Sequence, residues 1–228
     1  MIPGGLFITG TDTGVGKPRV AAALLRGWGA RGHRVVGMKP VVSGAVLQDD
    51  VVSWEDVDIL AAASTVQAPL TLRNPYRFEA ALSPHIAAQR AGQCIDLGVI
   101  TASCASLREQ ADLVVVEGAG GWYAPISDTK TMADLARALN LPVVLVVGVR
   151  LGCINHALLT AEAIRHDGLS LAAWVANMID PEMLAVAENM ATLQSRLAAP
   201  LLGVMSWQPG IEYDLPDFEW DILFESAQ

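Results

Sequence analysis

A glycine-rich loop near the N-terminus constrains the fold of this chain more than any other segment. The loop reads Gly-Thr-Asp-Thr-Gly-Val-Gly-Lys from Gly10 to Lys17 and directly follows an apolar run at residues 6–9. Glycines allow successive backbone N–H groups to point into one concavity, and a helix that follows adds its positive N-terminal end. A strand, such a loop and a final lysine are typical of a site that binds the phosphates of a nucleotide.

The residue that follows the loop departs from the usual pattern. Ser or Thr at this position normally supplies a hydroxyl to the Mg²⁺ of the nucleotide, but this chain has Pro18. Proline has neither a hydroxyl nor a backbone N–H, although the first turn of a helix accepts it. We therefore expect nucleotide binding, and the effect of Pro18 on turnover stays open.

The rest of the chain alternates apolar strand-like runs with helical patterns. This alternation predicts an α/β fold with a mostly parallel sheet and helices on both faces, as a single domain over residues 1–228, and the phosphate loop after the first strand makes it P-loop NTPase-like. Strands are predicted at 6–9, 35–39, 113–117, 143–149, 172–176 and 201–205. Helices are predicted at 19–31, 55–63, 84–90, 97–110, 132–139, 155–166 and 181–197. Residues 209–228 are expected to form an irregular, acidic, packed tail.

The composition of the chain bears on its binding partners and on the cellular compartment in which it acts. The net charge is −9 with 15 Lys and Arg residues, and no basic stripe is present, so nucleic acid is not expected as a partner. The longest strongly apolar stretch, residues 141–149, is too short to cross a bilayer, so no membrane association is expected. The three cysteines lack metal-ligand spacing and predict reduced thiols in a cytoplasmic protein.

Three further segments follow predicted strands and should therefore meet the phosphate loop at one edge of the sheet. Lys39 could neutralise a transferred phosphoryl group or a substrate carboxylate, or it could be a surface lysine. Glu117 could reach Mg²⁺ while the glycines after it let a ligand approach the backbone, or the segment could form a tight turn with a solvated carboxylate. Residues 150–157 enter a helix whose free N–H groups could bind a carboxylate, or which Asn155 simply caps.

These segments together resemble the dethiobiotin synthetase family. The matching stretches run in order from residue 10 to residue 203: GTDTGVGK, KPVVSG, RNPYRFEAALSPH, VVVEGAGGW, LPVVLVVGVRLGCINHALLTAEAI, WVANMI and APLLG. The resemblance implies an ATP-dependent, Mg²⁺-requiring enzyme acting on diaminopelargonic acid and CO2. In the family, the diamine forms a carbamate, ATP phosphorylates it, and the second amine closes the ring as phosphate leaves.

The resemblance also implies roles for individual residues. Lys17 and Lys39 are the expected catalytic lysines, and Asp56 and Glu117 the expected Mg²⁺ ligands, with Asp58 as the alternative to Asp56. Nucleotide contacts are expected from Gly14, Val15, Gly16, Lys17, Pro18, Arg19, Asp56, Glu117, Gly118, Ala119, Gly120, Asn177, Met178, Ser206, Trp207 and Gln208. Substrate contacts are expected from Thr13, Ser43, Gly152, Cys153 and Asn155, of which the last three serve the neighbouring subunit and imply a homodimer.

Two other classes of function stay open at this point: another enzyme or switch of the same P-loop superfamily, and a degenerate homologue. A related P-loop switch ATPase of the partitioning type usually has a second lysine early in its loop, which residues 11–14 lack. A cobyrinic acid amide synthetase would need a glutaminase domain, for which this chain has no room. A degenerate homologue could bind nucleotide or substrate with little turnover, and Pro18 is the feature that supports it.

Overall fold

A computed structural model of the protein describes residues 4–48, 51–208 and 216–225. Its strands are β1 (Gly5–Gly10), β2 (Val35–Met38), β3 (Val41–Ser43), β4 (Val46–Gln48), β5 (Val51–Ser53), β6 (Tyr76–Phe78), β7 (Leu113–Glu117), β8 (Val143–Val149), β9 (Leu171–Met178) and β10 (Leu201–Met205). Its helices are α1 (Lys17–Ala30), α2 (Glu55–Ala63), α3 (Leu70–Arg73), α4 (Pro84–Arg90), α5 (Leu97–Arg108), α6 (Met132–Leu139), α7 (Cys153–His166), α8 (Val186–Arg196) and α9 (Ile222–Glu225).

A six-stranded sheet in the order β10-β9-β8-β1-β7-β2 forms the centre of the molecule. Every neighbouring pair in it is parallel. All six carboxyl ends therefore lie along one edge of the sheet, and the loops that leave them meet there. This confirms the predicted fold class.

Helices cover both faces of the sheet, and the side chains alternate between the two layers. In β1, Leu6 and Ile8 belong to the core under α1 and α2, whereas Phe7 belongs to the core under α5 and α6. A third cluster joins β8 and β9 to α7 and α8. Because the central strands are buried on both faces, their sequences are mostly apolar rather than alternating.

The predicted strands are all present, but several helix ends differ from the prediction. Helix α7 begins at Cys153 rather than at residue 155, because Gly152 adopts φ +94° as its N-cap. Helix α8 begins at Val186 rather than at residue 181, since Ala185 takes a left-handed conformation with φ +53° and ends the preceding turn. Helix α5 ends two residues earlier than expected, at Arg108.

Several short elements were not predicted. Strands β3 and β6 pair in parallel, and β4 and β5 form an antiparallel hairpin. In the expected tail, residues 209–215 and 226–228 lie outside the described residues. Residues 216–225 pack against the sheet and α1, with Phe218 and Leu223 buried, and they include the short helix α9, so this part is not irregular throughout.

Candidate active site

The phosphate loop connects β1 to α1 at the carboxyl edge of the sheet. Gly14 and Gly16 adopt φ values of +75° and +89°, which residues with a side chain rarely adopt. A Cβ at Gly16 would also lie 2.1 Å from Nδ2 of Asn177. This Nδ2 donates to the carbonyl oxygen of Val15 at 2.8 Å, so the end of β9 supports the loop from beneath.

Two buried lysines lie at this edge. Lys17 is 5% exposed, and its Nζ donates to the backbone oxygen of Asp12 at 2.9 Å. Lys39, which directly follows β2, is 4% exposed. The two ammonium groups therefore face the same cleft, one from the start of α1 and the other from the end of β2, as expected for a site that binds a polyanion.

Lys39 joins two carboxylates. Its Nζ lies 2.5 Å from Oε1 of Glu117 and 2.7 Å from Oδ2 of Asp56, and it also donates to the backbone oxygen of Gly118 at 3.2 Å. Asp56 lies in the first turn of α2 and is partly exposed. Asp58, the alternative ligand, is exposed and is not among the residues that line the cleft.

Burial and mutual charge shift the pKa values in this cluster. Burial raises the pKa of Glu117 to about 7, although the charge of Lys39 opposes the shift. Burial, together with repulsion from Lys39, lowers the pKa of Lys17 to about 8. Burial acts to lower the pKa of Lys39, but Glu117 and Asp56 overcome it, and the net pKa is raised.

The loop and the charged cluster line one cleft of about 820 Å³. This volume suits ligands of the size of a nucleotide with a small substrate. Of the predicted site residues, the following line it: Thr13, Gly14, Gly16, Lys17, Pro18, Arg19, Lys39, Ser43, Asp56, Glu117, Ala119 and Gly120. The structure therefore brings these residues together around one cleft, while their roles stay predictions.

Part of the cleft lining comes from the small β3–β6 sheet and the segment that follows it. Ser43 ends β3, and its hydroxyl donates to the backbone oxygen of Leu82 at 2.6 Å. Val42, Ala81, Leu82, Ser83 and Pro84 line the cleft, as do Glu55 and Ile59 from α2. Sequence reasoning did not assign these residues individually.

The other predicted site residues lie outside the lining of this cleft. Val15 and Gly118 are buried beneath it. Asn177 and Met178 end β9, and Ser206, Trp207 and Gln208 follow β10 at the same edge of the sheet. Gly152, Cys153 and Asn155 lie at the start of α7, where Cys153 is 2% exposed. Asn155 lies within the first turn and is not the N-cap that one interpretation of the sequence assigned.

The carboxylates of Glu117 and Asp56 can be compared with the ligands that Mg²⁺ prefers. Oε2 of Glu117 is buried and has no hydrogen-bond partner among the described residues. Asp56 supplies a second carboxylate oxygen across Lys39. Within the described residues no group of three or more His, Cys, Asp or Glu side chains could hold a metal. Two carboxylates suit Mg²⁺, which keeps several waters and takes its other ligands from nucleotide phosphates.

One contact at the phosphate loop was missed in the sequence. Nη2 of Arg150, the residue after β8, lies 2.8 Å from Oδ2 of Asp12 inside the loop. The residues are 138 positions apart, and no local pattern links them. Only the neighbouring positions of β1 and β8 in the sheet bring them together.

Comparisons with known proteins identify the relatives of this chain. A family model described as an AAA domain matches residues 4–213. An ATP-dependent dethiobiotin synthetase from Xanthomonas oryzae is 52% identical over 214 residues, covering 93% of this chain and 95% of the relative. The corresponding enzyme from Nitrosospira multiformis is 52% identical over 203 residues, covering 89% of this chain and 88% of the relative.

Solved structures resemble the chain in fold alone. The MinC:MinD cell division complex of Aquifex aeolicus matches with a TM-score of 0.56 and 14% identity, covering 97% of this chain and 86% of that chain. The signal recognition particle receptor FtsY from Elizabethkingia anophelis matches with a TM-score of 0.52 and 15% identity, covering 98% of this chain and 65% of that chain. Within the described residues, no helix has the length and apolar character needed to span a membrane.

Proposed function

The chain belongs to the ATP-dependent dethiobiotin synthetase family of P-loop proteins, and from this premise we propose how its cleft performs the reaction. The activity is that of an ATP-dependent ligase of biotin biosynthesis. Diaminopelargonic acid and CO2 give a carbamate, ATP phosphorylates that carbamate, and the second amine closes the ring to dethiobiotin. ADP and phosphate are the other products.

The observation that carries this proposal is the shared cleft of Lys17, Lys39, Asp56 and Glu117. A carbamate and a triphosphate are both anions, so bringing them within reacting distance requires cations and oriented dipoles. Two buried lysines supply the cations, and the N-terminus of α1 supplies the dipole. Uncompensated, the repulsion between the two anions would oppose the reaction.

The two lysines have different roles in this proposal. Lys17, within the phosphate loop, binds the triphosphate in the ground state. Lys39 faces the transferring phosphoryl group, where an oxygen of the carbamate bonds to the γ-phosphorus as the bond to ADP breaks. The second amine then attacks the carbamoyl carbon and phosphate leaves, so Lys39 stabilises charge at both steps. Ser43 and Thr13, which both line the cleft, contact the substrate.

Asp56 and Glu117 are the residues that would hold Mg²⁺. The buried, unpartnered Oε2 of Glu117 supports this role. When bound, the metal supplies positive charge to the phosphate oxygens. Lys39 contacts both carboxylates, so it balances their charge within the buried site. Pro18 adds no ligand, because it lacks a hydroxyl.

The adenine is proposed to lie at the ends of β9 and β10. Oδ1 of Asn177 is buried and has no partner among the described residues, so it could accept a hydrogen bond from an amino group. Met178 and residues 206–208 follow at the same edge, and Trp207 is 45% exposed, which leaves its ring accessible to a base.

A homodimer is proposed from the position of the start of α7. Gly152, Cys153 and Asn155 do not line the cleft of their own chain, which supports the family-based expectation that they bind the carboxylate of a substrate in the neighbouring subunit. Leu151 beside them is 89% exposed. Burying such a leucine against a second copy would remove apolar surface from water.

We expect the enzyme to act in the cytoplasm, with its three cysteines as free thiols.

Phosphate release tests the reaction directly. The purified protein is incubated with ATP, Mg²⁺ and bicarbonate, with and without diaminopelargonic acid, and dethiobiotin is identified by mass spectrometry. Release that requires the diamine and yields dethiobiotin supports the proposal. Release that is indifferent to the diamine would favour a switch ATPase, and nucleotide binding without release would favour the degenerate homologue.

A further inference from the structure

A carboxylate lies inside the phosphate loop, where a triphosphate has to approach. Oδ1 of Asp12 accepts the backbone N–H of Thr13 at 2.7 Å, and Oδ2 lies 2.8 Å from Nη2 of Arg150. The backbone oxygen of the same residue accepts from Nζ of Lys17 at 2.9 Å. Asp12 therefore contacts three groups: its side chain binds the N–H of Thr13 and the guanidinium of Arg150, and its backbone oxygen binds Lys17.

The sheet determines the position of the arginine. Strands β1 and β8 are parallel neighbours, with Gly10 opposite Val146. The backbone N–H of Thr11 continues this pairing by donating to the oxygen of Val146 at 3.0 Å. Arg150 follows the end of β8, so its guanidinium is held beside the first residues of the loop.

The ion pair changes the electrostatics of the loop. An uncompensated carboxylate next to the triphosphate would repel it, because like charges at short range disfavour binding. Arg150 neutralises that charge and fixes the side chain that accepts the N–H of Thr13. Its side chain is 45% exposed and that of Asp12 is 46% exposed, so salt screens the effect but does not abolish it.

We propose that Arg150 is a positioning residue for nucleotide binding, which acts on the phosphate loop through its ion pair with Asp12. The proposal rests on the function proposed above, since it takes ATP as the ligand. Arg150 itself need not touch the nucleotide, and in this respect it differs from Lys17.

A double-mutant cycle tests the proposal by calorimetric titration of ATP with Mg²⁺. Arg150→Gln should raise the Kd about two- to five-fold at physiological salt, as expected for one exposed charge pair. Asp12→Asn removes the charge but keeps an oxygen for the N–H of Thr13, so its Kd should stay within about two-fold of wild type. In the Asp12→Asn background, Arg150→Gln should then have no further effect. Arg150→Lys should recover part of the loss.

Arg165→Gln is the matched control. It removes one arginine from an exposed ion pair with Glu162 at the other end of α7, and it should leave the Kd unchanged. The Arg150→Gln effect should shrink as ionic strength rises, and kcat should stay near the wild-type value while KM for ATP increases.

Several results would overturn the proposal. If Arg150→Gln weakens ATP binding equally in the Asp12→Asn background, the arginine contacts the nucleotide directly. A lower melting temperature with an unchanged Kd would make the pair structural only. Wild-type protein that fails to bind ATP would contradict the proposed function as well, whereas normal wild-type turnover with an unaffected Arg150→Gln variant would contradict this inference alone.

Discussion

Nζ of Lys39 lies 2.5 Å from Oε1 of Glu117, and both side chains are buried at the carboxyl edge of the sheet. The contact follows from the strand order, because β2 and β7 are parallel neighbours with Met38 opposite Val116. The next residue after Met38 is Lys39 and the next residue after Val116 is Glu117, so the two side chains lie beside each other. Two oppositely charged groups that look unrelated in the sequence form one buried pair in the fold.

The first prediction separates the two lysines. Lys39→Ala should lower kcat by about 10²–10³, the range found when one donor to a developing negative charge is removed, while the Kd for ATP changes little. Lys17→Ala should instead weaken ATP binding, because that lysine lies within the phosphate loop. Calorimetric titration of ATP into both variants, beside turnover assays, measures the difference.

Folding has to be monitored in this comparison. Lys39→Ala removes a buried cation from between two carboxylates, and unpairing a buried charge costs about 3–5 kcal/mol of unfolding free energy. Circular dichroism at the assay temperature shows whether the variant is folded. A folded Lys39→Ala protein that loses ATP binding as fully as Lys17→Ala would disprove the division of roles.

The second prediction concerns pH. Burial, followed by the charge of Lys39, lowers the pKa of Lys17 to about 8. The affinity for ATP should therefore fall as the pH rises above about 8, because an increasing fraction of Lys17 in the free protein is neutral. Titrations across this range measure the effect, and Lys17→Arg, which stays charged, is the control.

The lowered pKa of Lys17 also affects the stability of the protein. Stability should rise with pH over the range in which ATP affinity falls. The folded pKa of Lys17 lies below its unfolded value of 10.5, so burying the charged amine costs stability at any pH below about 8. Between about 8 and 10.5 the folded protein releases this proton while the unfolded chain keeps it, and this contribution to stability rises with pH. Comparing wild type with Lys17→Met isolates the contribution. An ATP affinity that is constant throughout this range would contradict the assignment of Lys17.

The strands were predictable because their sequences carry the physical signal of a two-sided buried sheet. Residues 143–149 are all apolar, and a strand buried on both faces needs such a run. The phosphate loop was predictable because its glycines and lysine are adjacent in the sequence. Asp56 came from counting along the resemblance, and the structure brings it to 2.7 Å from Lys39.

The remaining features depend on contacts between distant residues. The start of α8 at Val186 was missed because Pro181 suits a first helical turn, whereas the left-handed Ala185 sets the actual start. Strands of three residues such as β3 and β6 are too short to show a period. Asn177 supports the loop through a contact across 162 positions, and periodicity carries no information about such a contact.

The third prediction concerns the packing of α1 against the C-terminal segment. Trp220 packs edge-on against Trp28, and the Arg31 guanidinium lies 4.1 Å from the centre of its ring. A Cβ at Gly27 would lie 2.3 Å from that ring. Gly27→Ala should therefore lower the free energy of unfolding by about 1–3 kcal/mol, the usual cost of overpacking. Chemical denaturation measures this change.

Helix propensity predicts the opposite sign, which makes the test informative. Alanine in a helix interior is favoured over glycine by about 0.5–1 kcal/mol. In a Trp220→Ala background the ring is absent, so Gly27→Ala should become neutral or stabilising. If Gly27→Ala stabilises the wild-type background as well, the Trp220 ring does not pack on α1 in solution.

The last prediction concerns Pro18. Pro18 is the second residue of α1 and lines the cleft, and the first backbone bond of the helix comes from Val20 to Gly16. The missing N–H therefore costs the helix nothing, but it leaves one donor fewer for phosphate. Pro18→Thr should restore this donor and a hydroxyl ligand for Mg²⁺. One charged hydrogen bond contributes about 1.5–3 kcal/mol, or roughly 10- to 150-fold in affinity or turnover. ATP titrations and turnover assays of both forms measure it.

Magnesium separates the two contributions of the new threonine. The part that depends on the hydroxyl should appear only with Mg²⁺ present, whereas the part from the N–H should persist in EDTA. Pro18→Ala, which restores the N–H without a hydroxyl, is the matched control and should gain only the second part. The melting temperature of each variant should fall slightly. Proline in the first turn stabilises the folded protein by about 0.4–1 kcal/mol, because it restricts the conformations of the unfolded chain. If Pro18→Thr changes neither Mg²⁺-dependent affinity nor turnover, Asp56 and Glu117 hold the metal adequately without a hydroxyl, and Pro18 is not a defect in this site.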